Sequence, residues 1–339
     1  MQLHVIMEPE LSSVVSEARR AETLRFHGAW ITETRHDPFL PIVRGIDSTT
    51  DLVLGTAIAV AFPRSPTHLA QTANDLHEWS GGRFILGLGS QVRAHVERRF
   101  SAEFEHPVER MRELIGAMRA VWASWNEGER LDFRGDFYEL TLMTPYFSPP
   151  PNPHGSPPVV LAAVGHRMTE LAGEVADGIL THGFSTDRYL REVMLPAMEK
   201  GLASAGRERE DIDIARQTYL VTGRDEVEQA ERARQVRELL AFYATTPAYR
   251  PVLELHGWES AQDELTKLAR DGHTNEMADV IDDEMLDAFA LVGAPDEIGG
   301  LAYDRFGDVV DRMSFRLPGD DPGVWNEVIA GFEAAASHG

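Results

Sequence analysis

DLVLGTAIAVAFPRSPTHLAQTANDLHEWSGGRFILGLGS, residues 51–90, decides the fold. Its first ten residues form an almost unbroken apolar run, which suits a strand buried on both faces. Ser65 and Pro66 follow as a helix cap and a first-turn proline, and Leu69, Ala73 and Leu76 then recur at helical spacing. Arg83–Leu88 returns to an apolar strand. Two buried strands joined by a helix make a βαβ unit, whose strands run parallel and whose crossover is right-handed.

The alternation extends in both directions. Toward the N-terminus, Leu3–Met7 reads as a strand, Leu11, Val14, Val15, Ala18, Ala21 and Leu24 form one helical stripe, and Gly28–Thr32 is apolar again. Beyond Pro107, Met111, Leu114, Ile115, Met118, Val121, Trp122 and Trp125 hold helical spacing, so the methionines and tryptophans are expected in the core. Further strands are expected at Pro158–Val164, Gly178–Thr181, Ile212–Val221 and Val309–Phe315. Helices are expected near Met168–Val175, Tyr189–Ala205, Glu226–Phe242, Pro295–Phe306 and Val324–Ala336. Eight βα units favour a closed barrel over an open sheet. The expectation is an α/β fold: a (β/α)8 TIM barrel forming a single domain over residues 1–339. Two insertions interrupt it, at 140–157, overlapping a proline-rich run from Pro145 to Pro158, and at 243–287, a lid-like segment after the seventh strand.

Composition narrows the function. With 43% apolar and 26% charged residues in 339, the chain resembles neither a disordered nor a fibrous protein. Its 32 Lys+Arg against 55 Asp+Glu give a formal charge of −23, which repels nucleic acid and anionic membranes. There is no cysteine, so thiol catalysis, disulfides and zinc-thiolate sites are excluded. No apolar run reaches membrane-spanning length, and MQLHVIMEPE at the start lacks the pattern of an export signal, so a cytoplasmic protein is expected.

Several chemistries fail on inspection. GLGSQV (Gly87–Val92) lacks the third glycine of a dinucleotide fingerprint, and no Gly-x-x-x-x-Gly-Lys loop or His-Glu-x-x-His occurs. Ser90 is followed by Gln91, which does not make a nucleophile elbow. The first strand offers only His4 where a metal-dependent hydrolase would want paired histidines, so no metal site is expected.

What remains lies at the predicted C-terminal strand ends: TETRHDPF (Thr32–Phe39), GTAIAVAFPRSP (Gly55–Pro66), LGLGSQVRAH (Leu86–His95) and AAVGHRMTE (Ala162–Glu170). With SGGRFILGLGSQV (Ser80–Val92) and GAPDEIGG (Gly293–Gly300), this order resembles the luciferase-like flavin-dependent oxidoreductase superfamily over nearly the whole chain, and most of all its coenzyme F420 branch. The resemblance implies a barrel with its cofactor at the strand C-termini, an insertion after the seventh strand, and a homodimer. It implies coenzyme F420, a 5-deazaflavin, with FMN as the alternative, and hydride transfer to or from a small organic substrate. An FMN-dependent monooxygenase and a non-catalytic cofactor-binding barrel are the competing readings.

The resemblance also assigns residues. A non-prolyl cis peptide between Ala57 and Ile58 would lie behind the ring, with Gly89, Ser90 and Gln91 beside it. Val164, Gly165, His166, Arg167 and Met168, at a helix entry where free amides attract an anion, would clamp a phosphate; alternatively Gly165 merely turns the chain and Arg167 is solvated. Arg93, Arg98 and Arg99 either receive the acidic cofactor tail or balance Glu97 and Glu103 on a surface. For catalysis, Glu33 matches the family's acidic residue, but Thr34 occupies the place of the histidine that should follow it, and His36 comes two positions later. His36 is the candidate acid or base. In the other reading, Thr34 holds the substrate and His36 packs against Pro38. His95 and His182 are held in reserve.

Overall fold

Eight parallel strands close on themselves in the computed structural model, which describes residues 1–8, 10–316 and 322–337. They are β1 (Gln2–Met7), β2 (Gly28–Ile31), β3 (Val53–Thr56), β4 (Phe84–Gly89), β5 (Val159–Ala163), β6 (Gly178–Thr181), β7 (Asp213–Gln217) and β8 (Arg312–Arg316). Each pairs with its neighbours in sequence, and β1 pairs with β8, Val5 lying opposite Phe315, which shuts the barrel. The fold is therefore the expected (β/α)8 barrel.

Both strand faces are buried, which is why the strands read as continuous apolar runs. Ile6, Trp30, Ile85, Val160 and Ala215 pack inside the barrel. Neighbours such as Val5, Leu54, Leu86, Leu161 and Met313 point outward into the layer beneath the helices. Gly55 makes room for the largest of the inner side chains, since a Cβ there would lie 2.3 Å from the Trp30 ring.

The helices follow their sequence signals. Ser65 caps Pro66–Trp79 by accepting a bond from the His68 amide, with Pro66 in the first turn. On Pro107–Asn126 the predicted stripe from Met111 to Trp125 is buried.

The structure departs from the expectation in several places. The predicted strand Asp51–Val60 is interrupted after Thr56: the Ala57–Ile58 peptide is cis, as the resemblance implies, and only Ala59–Val60 resumes pairing, with β4 alone. At this break the Thr56 hydroxyl bonds both the carbonyl (2.6 Å) and the amide (2.8 Å) of Gly87, so a side chain replaces the missing ladder contacts. The predicted strand Ile212–Val221 divides into β7 and Tyr219–Val221, which pairs in parallel with an unpredicted strand, Ala290–Val292. Three residues are too few for periodicity to signal. Between these two strands the chain runs through helices Glu226–Ala244, Arg250–His256, Glu259–Asp271 and Asp283–Phe289, so the segment expected at 243–287 is helical. The segment at 140–157 carries a turn at Pro145–Phe147 and follows an antiparallel hairpin, Phe133–Arg134 with Glu139–Leu140, which had no clear sequence signal.

Candidate functional site

Residues from all eight strand ends surround one cavity of about 630 Å3 on the C-terminal side of the barrel. Its floor is the inner layer, Ile6, Trp30, Ala57, Ala162 and Leu180, and its rim is built from the loops that follow. A second concavity of about 620 Å3 lies on the outer surface between helices Phe39–Ser48 and Pro66–Trp79, away from the strand ends. Barrel enzymes place their chemistry at the first kind of position.

Glu33, Thr34, Ala57, Ile58, Gly89, Ser90, Gln91, Val164, Gly165 and Met168 all line the cavity, as the sequence reading expects. Glu33 is 8% exposed, and its carboxylate is fully engaged. It accepts from the Val60 amide at 2.7 Å and from both Arg64 nitrogens at 2.7 and 3.1 Å. Arg64 in turn holds the Val60 carbonyl and Asp37, each at 2.8 Å. This network fastens the chain just after the Ala57–Ile58 bond to the end of β2. Both carboxylate oxygens of Glu33 thus take part in holding the backbone, Oε2 through two donors and Oε1 through one.

Facing it, Gly89 lies against Ile58, where a Cβ would come within 2.7 Å of the isoleucine side chain. Gln91 turns the loop with a positive φ of 58° and accepts the Val92 amide through its own side chain at 2.9 Å. Across the cavity, Gly165 caps helix His166–Val175 in an extended conformation (φ −81°, ψ 150°), and the Val164 carbonyl is held by the Tyr189 hydroxyl at 3.1 Å. The first-turn amides of a helix have no partner within it, so this end presents N–H groups and the positive end of the helix dipole.

Three expected residues are not brought to the cavity. His36 is 53% exposed, with Nε2 3.9 Å from Glu10. Arg167 is 71% exposed and pairs with Glu109, while His166 is 56% exposed beside Glu170. Thr34 lies at the rim, and its carbonyl accepts from Arg99. Arg93 reaches the cavity yet pairs with Glu97 at 2.7 Å; Glu103 is met by Arg110 at 3.5 Å. His95 is exposed on the short helix Arg93–Arg99. Among the described residues no three His, Asp or Glu side chains assemble as metal ligands. No helix among them is long and apolar enough to cross a membrane.

The imidazole in the cavity is His182, held in reserve by the sequence and placed immediately after β6. Its Nδ1 accepts the Phe184 amide at 3.0 Å, which leaves the proton on Nε2. The ring stacks on Tyr249 (centroids 4.9 Å apart, 24° between planes) and meets Tyr243 edge-on at 4.6 Å. Both tyrosines belong to the helical insertion, and burial pushes both hydroxyl pKa values upward. Burial pushes the His182 pKa down to about 4, and lowers that of His4, buried under Trp30, well below its usual value. Both imidazoles therefore take up protons more readily in the unfolded chain. For His182 the stability contributed is intact above the ordinary value of 6.5 and is lost as pH falls toward about 4. Urea midpoints measured at pH 7 and pH 4.5 should show a drop that is smaller in His182→Phe than in the parent. An equal drop in both would remove His182 as a contributor.

Sequence reasoning placed no weight on Trp30, Thr32, Gln217, Ser314, Arg316, Tyr243 or Tyr249, all of which line the cavity. The available signal was position for Trp30, Thr32, Ser314 and Arg316, which sit within two residues of a predicted strand end; Gln217 lay inside the predicted strand Ile212–Val221, which the structure ends at that residue.

A closed parallel barrel whose strand ends converge on one partly apolar, polar-rimmed cavity is the architecture of a barrel enzyme. The family model described as "Luciferase-like monooxygenase" matches residues 3–311. This chain belongs to that family, and it is an oxidoreductase. An uncharacterized protein of Mycobacterium tuberculosis (strain ATCC 25618 / H37Rv) is 46% identical over 304 residues, 90% of this chain and 89% of the relative. A putative coenzyme F420-dependent oxidoreductase of the same organism is 30% identical over 278 residues, 77% of this chain and 78% of the relative. The solved structure of coenzyme F420 dependent tetrahydromethanopterin reductase from Methanopyrus kandleri superposes with a TM-score of 0.81 at 22% identity, covering 99% of each chain.

Proposed function

We propose that this chain binds coenzyme F420 in the strand-end cavity and transfers a hydride between it and a small organic substrate. The carrying observation is the pairing, across one cavity, of an apolar wall at Ala57, Ile58 and Gly89 with the helix entry at Val164, Gly165 and Met168. A flat apolar ring fits against the first, and the phosphate of the cofactor tail fits the amides of the second. When bound, the deazaflavin supplies hydride chemistry at its C5 position. The residues of the chain hold it, exclude water, and seat the substrate against its other face. Ser90 and Gln91 support the ring from the β4 loop, and Thr34 with Arg93 forms the rim.

In this proposal the 339 residues form one barrel domain with inserted segments at 140–157 and 243–287, working as a homodimer in a reducing cytoplasm on a small-molecule substrate. Light scattering should then give a mass of about twice 37.7 kDa.

Titration followed by tryptophan fluorescence tests the cofactor, since Trp30 lies in the cavity floor. Coenzyme F420 is expected to bind more tightly than FMN; the reverse order would favour the FMN-dependent monooxygenase reading. A bound cofactor with no turnover of any carbonyl or alkene acceptor would favour the non-catalytic barrel.

Gly165 offers a sharper test. Its backbone angles suit any residue, and a Cβ there would meet nothing within 4 Å. Gly165→Ala should leave the melting temperature unchanged while weakening F420 binding about tenfold, or about 1.4 kcal/mol, if a phosphate packs against that backbone. Unchanged affinity would move the tail elsewhere. Arg167→Ala should matter less, under about threefold, because an exposed ion pair contributes little.

A further inference from the structure

The half of the cavity opposite the Ala57–Ile58 wall has its own chemistry. Three charged side chains line the cavity, and each already has an opposite partner: Glu33 with Arg64, Arg93 with Glu97, and Arg316 with Glu8. Among the described residues, no lining cation is without an anionic partner. Three neutral polar side chains of the lining, His182, Tyr243 and Tyr249, form an aromatic wall with ring centroids 4.6 to 5.9 Å apart. Phe184 and Phe289 pack behind that wall and stiffen it.

Within the wall, the orientation of one donor is fixed by a local hydrogen bond. The Phe184 amide occupies Nδ1 of His182, and Nε2 has no hydrogen-bond partner among the described residues. Nε2–H therefore faces the cavity with its donor free for an oxygen of a bound molecule. We propose that His182 Nε2–H hydrogen-bonds a carbonyl or hydroxyl oxygen of an uncharged substrate, whose apolar body lies against Tyr243 and Tyr249. The barrel thus supplies the donor and the insertion supplies the shape of the pocket. This deepens the reading of the strand-end cavity as the active site and names the class of substrate it takes: a neutral ketone or alcohol with a ring or chain beside the oxygen.

Acetophenone and benzoate are suitable probes, sharing a ring and differing in charge. Protein labelled with 15N-histidine reports binding without turnover, and the His182 signals are assigned by their loss in His182→Gln. The expected result is a neutral His182 protonated on Nε2, whose Nε2 resonance shifts with acetophenone and not with benzoate. His182→Phe keeps the ring and removes the donor, so its affinity for acetophenone should fall about five- to tenfold, the usual weight of one neutral hydrogen bond. His182→Gln, whose amide can reach the same point, should recover most of that loss. F420 titration of the same variants should be unchanged from the parent. The proposal is overturned if benzoate binds as well as acetophenone, if acetophenone leaves the Nε2 signal in place, or if His182→Phe binds it normally. Failure of F420 to bind any variant or the parent, with the acetophenone response intact, would instead sink the cofactor reading and leave this assignment standing.

Discussion

Glu33→Ala should destabilise the protein by about 3 to 4 kcal/mol, the lower range for removing one partner of a buried ion pair. Arg64 is 19% exposed and keeps Asp37, which holds the cost below the upper limit. Against that, the Val60 amide loses its acceptor in a buried position, which adds to the cost. The effect is read as a fall in the urea midpoint. Glu33→Gln retains an acceptor for Val60 and loses only the charge, so its midpoint should lie between those of parent and alanine variant. Because the network fixes the chain beside Ala57 and Ile58, F420 affinity should fall in the same order. A midpoint unchanged in Glu33→Ala would show that the carboxylate is not structural and return it to the list of catalytic candidates.

Gly87→Ala should be more damaging still. A Cβ at this position would lie 1.7 Å from the Thr56 carbonyl oxygen and 3.1 Å from Leu180. The near contact is backbone inside a closed barrel, which cannot move aside as a flexible side chain would. Overpacking in a core costs about 1 to 3 kcal/mol where side chains can adjust, and the expectation here is above that range, with little soluble protein recovered. Thr56→Val tests the same junction more gently. It leaves the Gly87 amide and carbonyl without the hydroxyl that serves both, at about 1 to 3 kcal/mol for each buried group. Thr56→Ser keeps the hydroxyl and should retain most of the stability. If Gly87→Ala is recovered in parental yield with a parental urea midpoint, the junction is looser than its geometry indicates.

His36→Ala should change turnover by less than about twofold, far short of the hundredfold expected of a positioned acid or base. The reason is its place on an exposed loop beside Glu10, outside the cavity lining. A hundredfold loss would show that the loop brings His36 inward during turnover.

The barrel was legible in the sequence because its signals are local. Alternating apolar runs and helical stripes record which faces are buried, and a cap such as Ser65 with Pro66 acts within one turn. The strand-end positions of Glu33, Gly89 and Gly165 followed from the same alternation, since a residue just past a strand must lie at the mouth of the barrel, whereas Ala57, inside a predicted strand, was marked by the family resemblance alone. Where a side chain points, and what it meets, depends on residues far away in the chain. Glu33 resembled a catalytic acid until Arg64 and the Val60 amide were brought to it by the return of the third strand. His36 was nearest in sequence to the expected histidine, while His182 comes to the cavity from β6 and is walled by tyrosines from an insertion some sixty residues later. The sequence by itself determined the number of strands, their order and the end of the barrel that carries the site, because burial leaves a periodic trace. Only the tertiary structure decided which charges neutralise one another and which imidazole faces the cavity, because those outcomes are set by contacts between segments that no local pattern encodes.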